Sequence, residues 1–95
     1  MKTKQFSNGA MDLAGKSYQL KYNIRAIVLF EKMTDKPFTL ACTTDYVIFL
    51  YAMLLSGTPE ATITLDELMD ALSPQQLRQA VVWTSEQVKS DTKEV

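Results

Sequence analysis

Ninety-five residues, 46% of them apolar and 9% aromatic, can enclose one modest core and not two. The formal net charge is −1, with one cysteine and no histidine. That excludes an internal disulfide, a histidine-based dyad and most zinc sites, and nothing calls for an oxidising compartment.

The start, Met1-Lys2-Thr3-Lys4, is basic, but the polar stretch Gln5 to Gly9 stands where a signal peptide needs its apolar run, so no export signal is expected. A single domain over residues 1–95 is expected, with 1–9 and 90–95 as flexible ends. Asn8-Gly9 and Ala14-Gly15-Lys16 are turn signals. Around them Met11, Leu13, Tyr18, Leu20 and Tyr22 alternate with Asp12, Ser17, Gln19 and Lys21, which predicts a hairpin with one apolar face. Two strands alone are marginal in water, so that face must lie on a helix or on another chain. A third strand over Lys4–Ser7 can join across Asn8-Gly9.

Asn23 caps a helix expected from Ile24 to about Thr34. Its inward stripe is Ala26, Leu29, Phe30 and Met33, with Ile27 beside it. Ile24 and Val28 fall on the opposite side among Arg25, Glu31, Lys32 and Asp35. Isolated exposed valines are common, but an apolar pair flanked by arginine is also what contact patches carry. Asp35-Lys36-Pro37 ends the helix, and Phe38 to Cys42 form an extended or briefly helical connector.

Tyr46 to Leu55 is apolar throughout except for two tyrosine hydroxyls, and reads as a helix with no wet side. Thr43 or Thr44 can cap it, Asp45 suits the positive end of its dipole, and Ser56-Gly57 before Pro59 reads as a stop. The run is too short for a bilayer, which needs about 20 apolar residues. Five such side chains left in water would forfeit on the order of 8–15 kcal/mol, as much as the stability of a small domain. The helix is therefore central in its own fold or completed by another protein. We expect more apolar helical surface than the chain hides by itself, the remainder holding other polypeptides.

Thr64-Leu65-Asp66-Glu67 is a capping box with Ile63 and Leu68 as its hydrophobic staple, followed by Leu65, Leu68, Met69 and Leu72 at helical spacing. Ser73-Pro74-Gln75-Gln76 repeats the device, with proline at the first helical position and Leu72 and Leu77 as staple. The last helix carries Leu77, Ala80, Val81, Thr84 and Val88 on one side, with Val82 and Trp83 off that stripe. From Lys89 the tail is polar and expected to fray. The architecture predicted is α+β, mostly α: an N-terminal β-hairpin packed on about four helices with a central apolar one.

Catalytic chemistry has little to build on. Cys42 in an apolar connector reads as buried and inert. Asp66, Glu67 and Asp70 at a helix start complement its dipole more simply than they hold Mg²⁺. The few glycines form neither phosphate-loop motif. Through Lys36 the chain carries seven Lys/Arg against three acids, and from Pro37 three against eight. The asymmetry fits head-to-tail self-association, an acidic-ligand site, or nothing specific. The last helices carry too few basic residues for a recognition helix, so nucleic acid is disfavoured, and only the basic hairpin could meet phosphate. No metal or other cofactor is expected. These readings favour a noncatalytic protein-binding module.

From about Met11 to Val88 the chain resembles the small tail assembly chaperones of long-tailed bacteriophages. The residues that carry the likeness are Gly15-Lys16-Ser17-Tyr18-Gln19-Leu20-Lys21-Tyr22, then Ile24-Arg25-Ala26-Ile27 running into Leu29-Phe30-Glu31-Lys32-Met33-Thr34. Lys36-Pro37-Phe38, the apolar Tyr46–Leu55 helix and Leu65-Asp66-Glu67-Leu68-Met69 complete it. A departure is Asp35, where such sequences often have glycine. The resemblance implies a phage or prophage protein of the bacterial host cytoplasm. It would bind the helical tape measure protein and keep it soluble during virion assembly, self-associate, and have the tail tube protein as a further partner. Helix-in-groove binding would use apolar anchors, with Met33, Met53 and Met69 accommodating varied partners; the simpler reading of each methionine singly is that it fills the core. The candidate contact residues are Ile24, Val28, Tyr46, Phe49, Met53 and Trp83. The alternative is a small phage regulatory or DNA-associated protein using its basic N-terminal hairpin.

Overall fold

The period-two stretch folds as an antiparallel sheet of order β1-β2-β3, formed by Phe6–Ser7, Ala10–Leu13 and Lys16–Gln19. The computed structural model describes residues 6–7 and 9–93. Four helices follow the sheet: α1 (Ile24–Thr34), α2 (Thr43–Gly57), α3 (Leu65–Ala71) and α4 (Pro74–Lys93). The architecture is α+β and mostly α, with the N-terminal hairpin laid on the helices and the apolar α2 at the centre. Among the described residues no helix is long and apolar enough to cross a membrane.

Ala14 and Gly15 turn β2 into β3 with φ of 50° and 81°. Both are positive, the backbone of a two-residue turn whose twist suits a hairpin. Glycine adopts it freely, whereas alanine does so against its Cβ. The turn sets the register Leu13↔Lys16 and Met11↔Tyr18. Met11, Leu13, Tyr18 and Leu20 therefore face the core, and Asp12, Ser17, Gln19 and Lys21 stay in water. Of the third strand expected over Lys4–Ser7, Phe6–Ser7 pairs with β2. Lys4, Gln5 and the turn residue Asn8 lie outside the described residues.

Asn23 caps α1 as its sequence predicts, its Oδ1 accepting from the Ala26 N–H at 3.0 Å. The same oxygen accepts from the Ser56 hydroxyl at 2.7 Å, which ties the start of α1 to the end of α2. The buried line of α1 runs through Ala26 and Phe30 to half-buried Thr34, whose Oγ1 donates to the Phe30 carbonyl at 2.8 Å. Met33, expected inside, is displaced from that line and exposed. Asp35 ends the helix in the left-handed conformation, φ 57°, and its N–H caps Glu31. That conformation favours the glycine whose absence the sequence shows.

The expectation of excess apolar surface on α2 is overturned. Phe49, Leu50, Ala52, Met53 and Leu54 are all buried within this one chain, and Ile48, Tyr51 and Leu55 are half-buried against the same core. The sheet, α1, α3 and α4 all pack on α2, so from Ile48 to Leu55 the apolar helix finds cover within the chain, while Tyr46 and Val47 in its first turns stay partly exposed. Phe49 anchors an aromatic cluster, edge-on to Phe30 and Tyr22 at 5.9 Å each and 4.8 Å from Phe38. The Tyr51 hydroxyl is satisfied by the Ile63 carbonyl at 2.8 Å.

Both ends of α2 also differ from expectation. Its N-cap is Cys42, exposed and without a side-chain cap bond, instead of Thr43 or Thr44. Asp45 in the first turn reaches back for the Ala41 N–H and so ties the connector to the start of α2. At the other end Gly57 is helical and not a left-handed stop. It is glycine because the end of β3 presses on it: a Cβ there would stand 2.8 Å from the Gln19 carbonyl carbon and 2.9 Å from that of Leu20.

Both capping boxes form. Thr64 and Glu67 exchange bonds of 2.9 and 3.1 Å, and Ser73 and Gln76 exchange bonds of 3.0 and 3.1 Å. The Gln76 amide, only 4% exposed, also donates to the Asp12 carbonyl at 2.6 Å and pins the hairpin to the start of α4. In α3 only Leu68 is fully buried, while Met69, expected on the inner stripe, is exposed. The tail expected to fray from Lys89 is instead helical to Lys93. No Gly or Pro interrupts it. Glu94 and Val95 lie outside the described residues.

Candidate partner-binding surface

The connector between α1 and α2 makes one wall of an open groove. Phe38, Thr39 and Leu40 line that wall, Tyr46 the start of α2, and Ser85, Val88 and Lys89 the facing side of α4, around about 340 Å³. Its lining is mainly apolar and half-buried, as a helix-accepting groove requires.

The connector is held by ring packing and by hydrogen bonds to two carboxylates. Phe38 stacks edge-on to Phe30 at 5.5 Å, and its N–H donates to the Glu31 carboxylate at 2.9 Å. Asp45, 3% exposed, accepts from Lys36 Nζ and from the Ala41 N–H, each at 2.9 Å. The Lys36 hydrogen bond, then the Ala41 N–H, hold the Asp45 carboxyl below its usual 3.8 against the opposing effect of desolvation, with the Lys36 charge and the Cys42 thiol assisting. The groove wall is thus fastened by a buried carboxylate that sequence reading assigned only to the helix dipole. An Asp at the third helical position with a Lys nine residues upstream was the available signal.

The six candidate contact residues are not one surface. Phe49 and Met53 have no exposed area and are withdrawn as contacts, because the chain's own core occupies them. Tyr46 lines the groove. Ile24 and Val28 are exposed by 74% and 41% on the outer side of α1. Ile24 follows Asn23 at the far end of α2, about 15 Å along the helix from Tyr46. Trp83, half-buried, packs on the hairpin, where a Cβ on Gly9 would lie 3.1 Å from its ring. Sequence reading missed Phe38, Leu40 and Val88 as a shared lining, because the three come together only in the tertiary fold.

Among the described residues no group of three or more potential ligands could hold a metal ion. No family model, curated protein or solved structure matches this chain.

Proposed function

We propose that the chain is a noncatalytic tail assembly chaperone of a phage or prophage. It acts in the bacterial host cytoplasm, binding the helical tape measure protein by reversible apolar contact and keeping it soluble while the tail is built. Self-association and contact with the tail tube protein belong to the same reading. The observation that carries it is the groove at Tyr46, walled by Phe38 and Leu40 on one side and Val88 on the other. It offers an apolar helix the half-buried anchors that such recognition uses. The enclosure of α2 moves the proposed contact from the middle of that helix to its first turn and the connector beside it.

The DNA-associated alternative rests on the basic hairpin and gains no support from geometry. Lys16 in that hairpin lies in a cleft with Glu67 and Asp70.

The test is co-expression with a tape measure segment, followed by centrifugation. The wild-type chain should hold the segment in the supernatant, while Leu40→Asp and Val88→Glu should release it to the pellet with the chain itself still folded. Equal retention by the groove variants would remove the proposed site, and no retention by the wild type would remove the function.

A further inference from the structure

Among the described residues strand β3 is an edge of the sheet, with β2 on one side and no strand on the other. Its open side is set by two independent observations. The Gln19 N–H and C=O both bond the Thr58 hydroxyl, at 2.8 and 3.0 Å, and so point away from β2. The two-residue turn makes Leu13↔Lys16 and Met11↔Tyr18 the bonded pairs of the ladder. By strand periodicity the N–H and C=O of exposed Ser17 face outward as well, and among the described residues neither has a partner.

A cleft runs along this edge. It comprises a lobe of about 490 Å³ toward α3 and one of about 190 Å³ toward the loop after α2, which share Lys16, Tyr18 and Thr62. Its far wall is the non-helical segment 61–64, where Thr62 is exposed. Apolar surface is supplied by Tyr18, Ile63 and Ala71, and the rim by Glu60, Glu67 and Asp70 against the single base Lys16.

We infer that the β3 edge takes an extended, basic segment of a partner polypeptide as a fourth strand, lying between Ser17 and Thr62. Main-chain bonds to Ser17 supply the alignment, alternate apolar side chains meet Tyr18 and Ile63, and the excess of carboxylates selects lysine or arginine on the segment. The edge is distinct from the Tyr46 groove and does not depend on it.

The probe is an acetylated, amidated hexapeptide alternating valine and lysine, titrated into the labelled full chain and followed by NMR. The largest amide shifts are expected at Ser17 and Thr62, with slowed exchange of the Ser17 N–H. Ser17→Pro removes that outward donor without removing a bond to β2, and should weaken binding at least tenfold. Should this variant disturb the hairpin, a peptide methylated on alternate backbone nitrogens reports the same bonds on the unaltered protein, again with at least a tenfold loss in the edge-facing register. Replacing the peptide's lysines by glutamate should cost a similar factor. Shifts confined to the helices, equal binding of the methylated peptides, or equal binding of the glutamate peptide would overturn the inference.

Discussion

The two ends of α2, about 22 Å apart, are fastened by different physics. The C-terminal end is held by shape and neutral hydrogen bonds. Gly57 lets the backbone of β3 approach, Thr58 brackets Gln19, Ser56 bonds Asn23, and the Lys21 N–H reaches the Met53 carbonyl at 3.1 Å. The N-terminal end is held by charge, through the Asp45 carboxylate between Lys36 and Ala41. The first fastening needs space and is indifferent to pH. The second needs an ionised group and stays intact only while that group is ionised.

Four changes break or sharpen this contrast. The largest effect is expected from Gly57→Ala, since backbone atoms of Gln19 and Leu20 cannot move aside as a flexible side chain could. A loss of about 3 kcal/mol, measured by urea unfolding, is the expected scale. Next is Asp45→Asn, which should lower Tm clearly at neutral pH. Because the folded carboxyl titrates below its usual 3.8, its stabilisation is complete above roughly pH 4 and is lost as pH falls through the folded value. The Tm difference between wild type and Asp45→Asn should therefore shrink from pH 7 to pH 3, whereas that for Gly57→Ala should hold. Thr58→Val removes both bonds to Gln19 at an exposed site and should cost about 1 kcal/mol at either pH. The smallest effect is a gain. Asp35→Gly relieves a left-handed residue where the connector begins and should stabilise by about 0.5 kcal/mol in thermal denaturation.

What the sequence made legible were the local devices. The Asn23 cap, the Thr64–Glu67 and Ser73–Gln76 boxes and the alternation of the hairpin are signals spanning at most a few residues, and each is written where it acts. The apolar run of α2 implied burial but not by whom, because cover comes from four separate elements. The exposure of Ile24 and Val28 followed from the helical wheel. Met33 and Met69 did not follow it, since a short helix buries a narrower stripe than its apolar residues describe. Gly57 and Asp45 were read as a stop and a dipole partner, their local meanings. Their actual partners, Gln19 and Lys36, are set by how the elements pack. The same holds for the candidate groove, of whose lining only Tyr46 was anticipated as a contact.

Trp83 is the chain's single tryptophan, and its ring lies against the hairpin at Gly9. Its ultraviolet emission is consequently a gauge of one seam, while circular dichroism near 222 nm weighs all four helices together. Heated slowly, the molecule can be asked whether the sheet peels away before the helices melt: coincident curves mean one cooperative unit, and an earlier red shift marks the seam as the first to open.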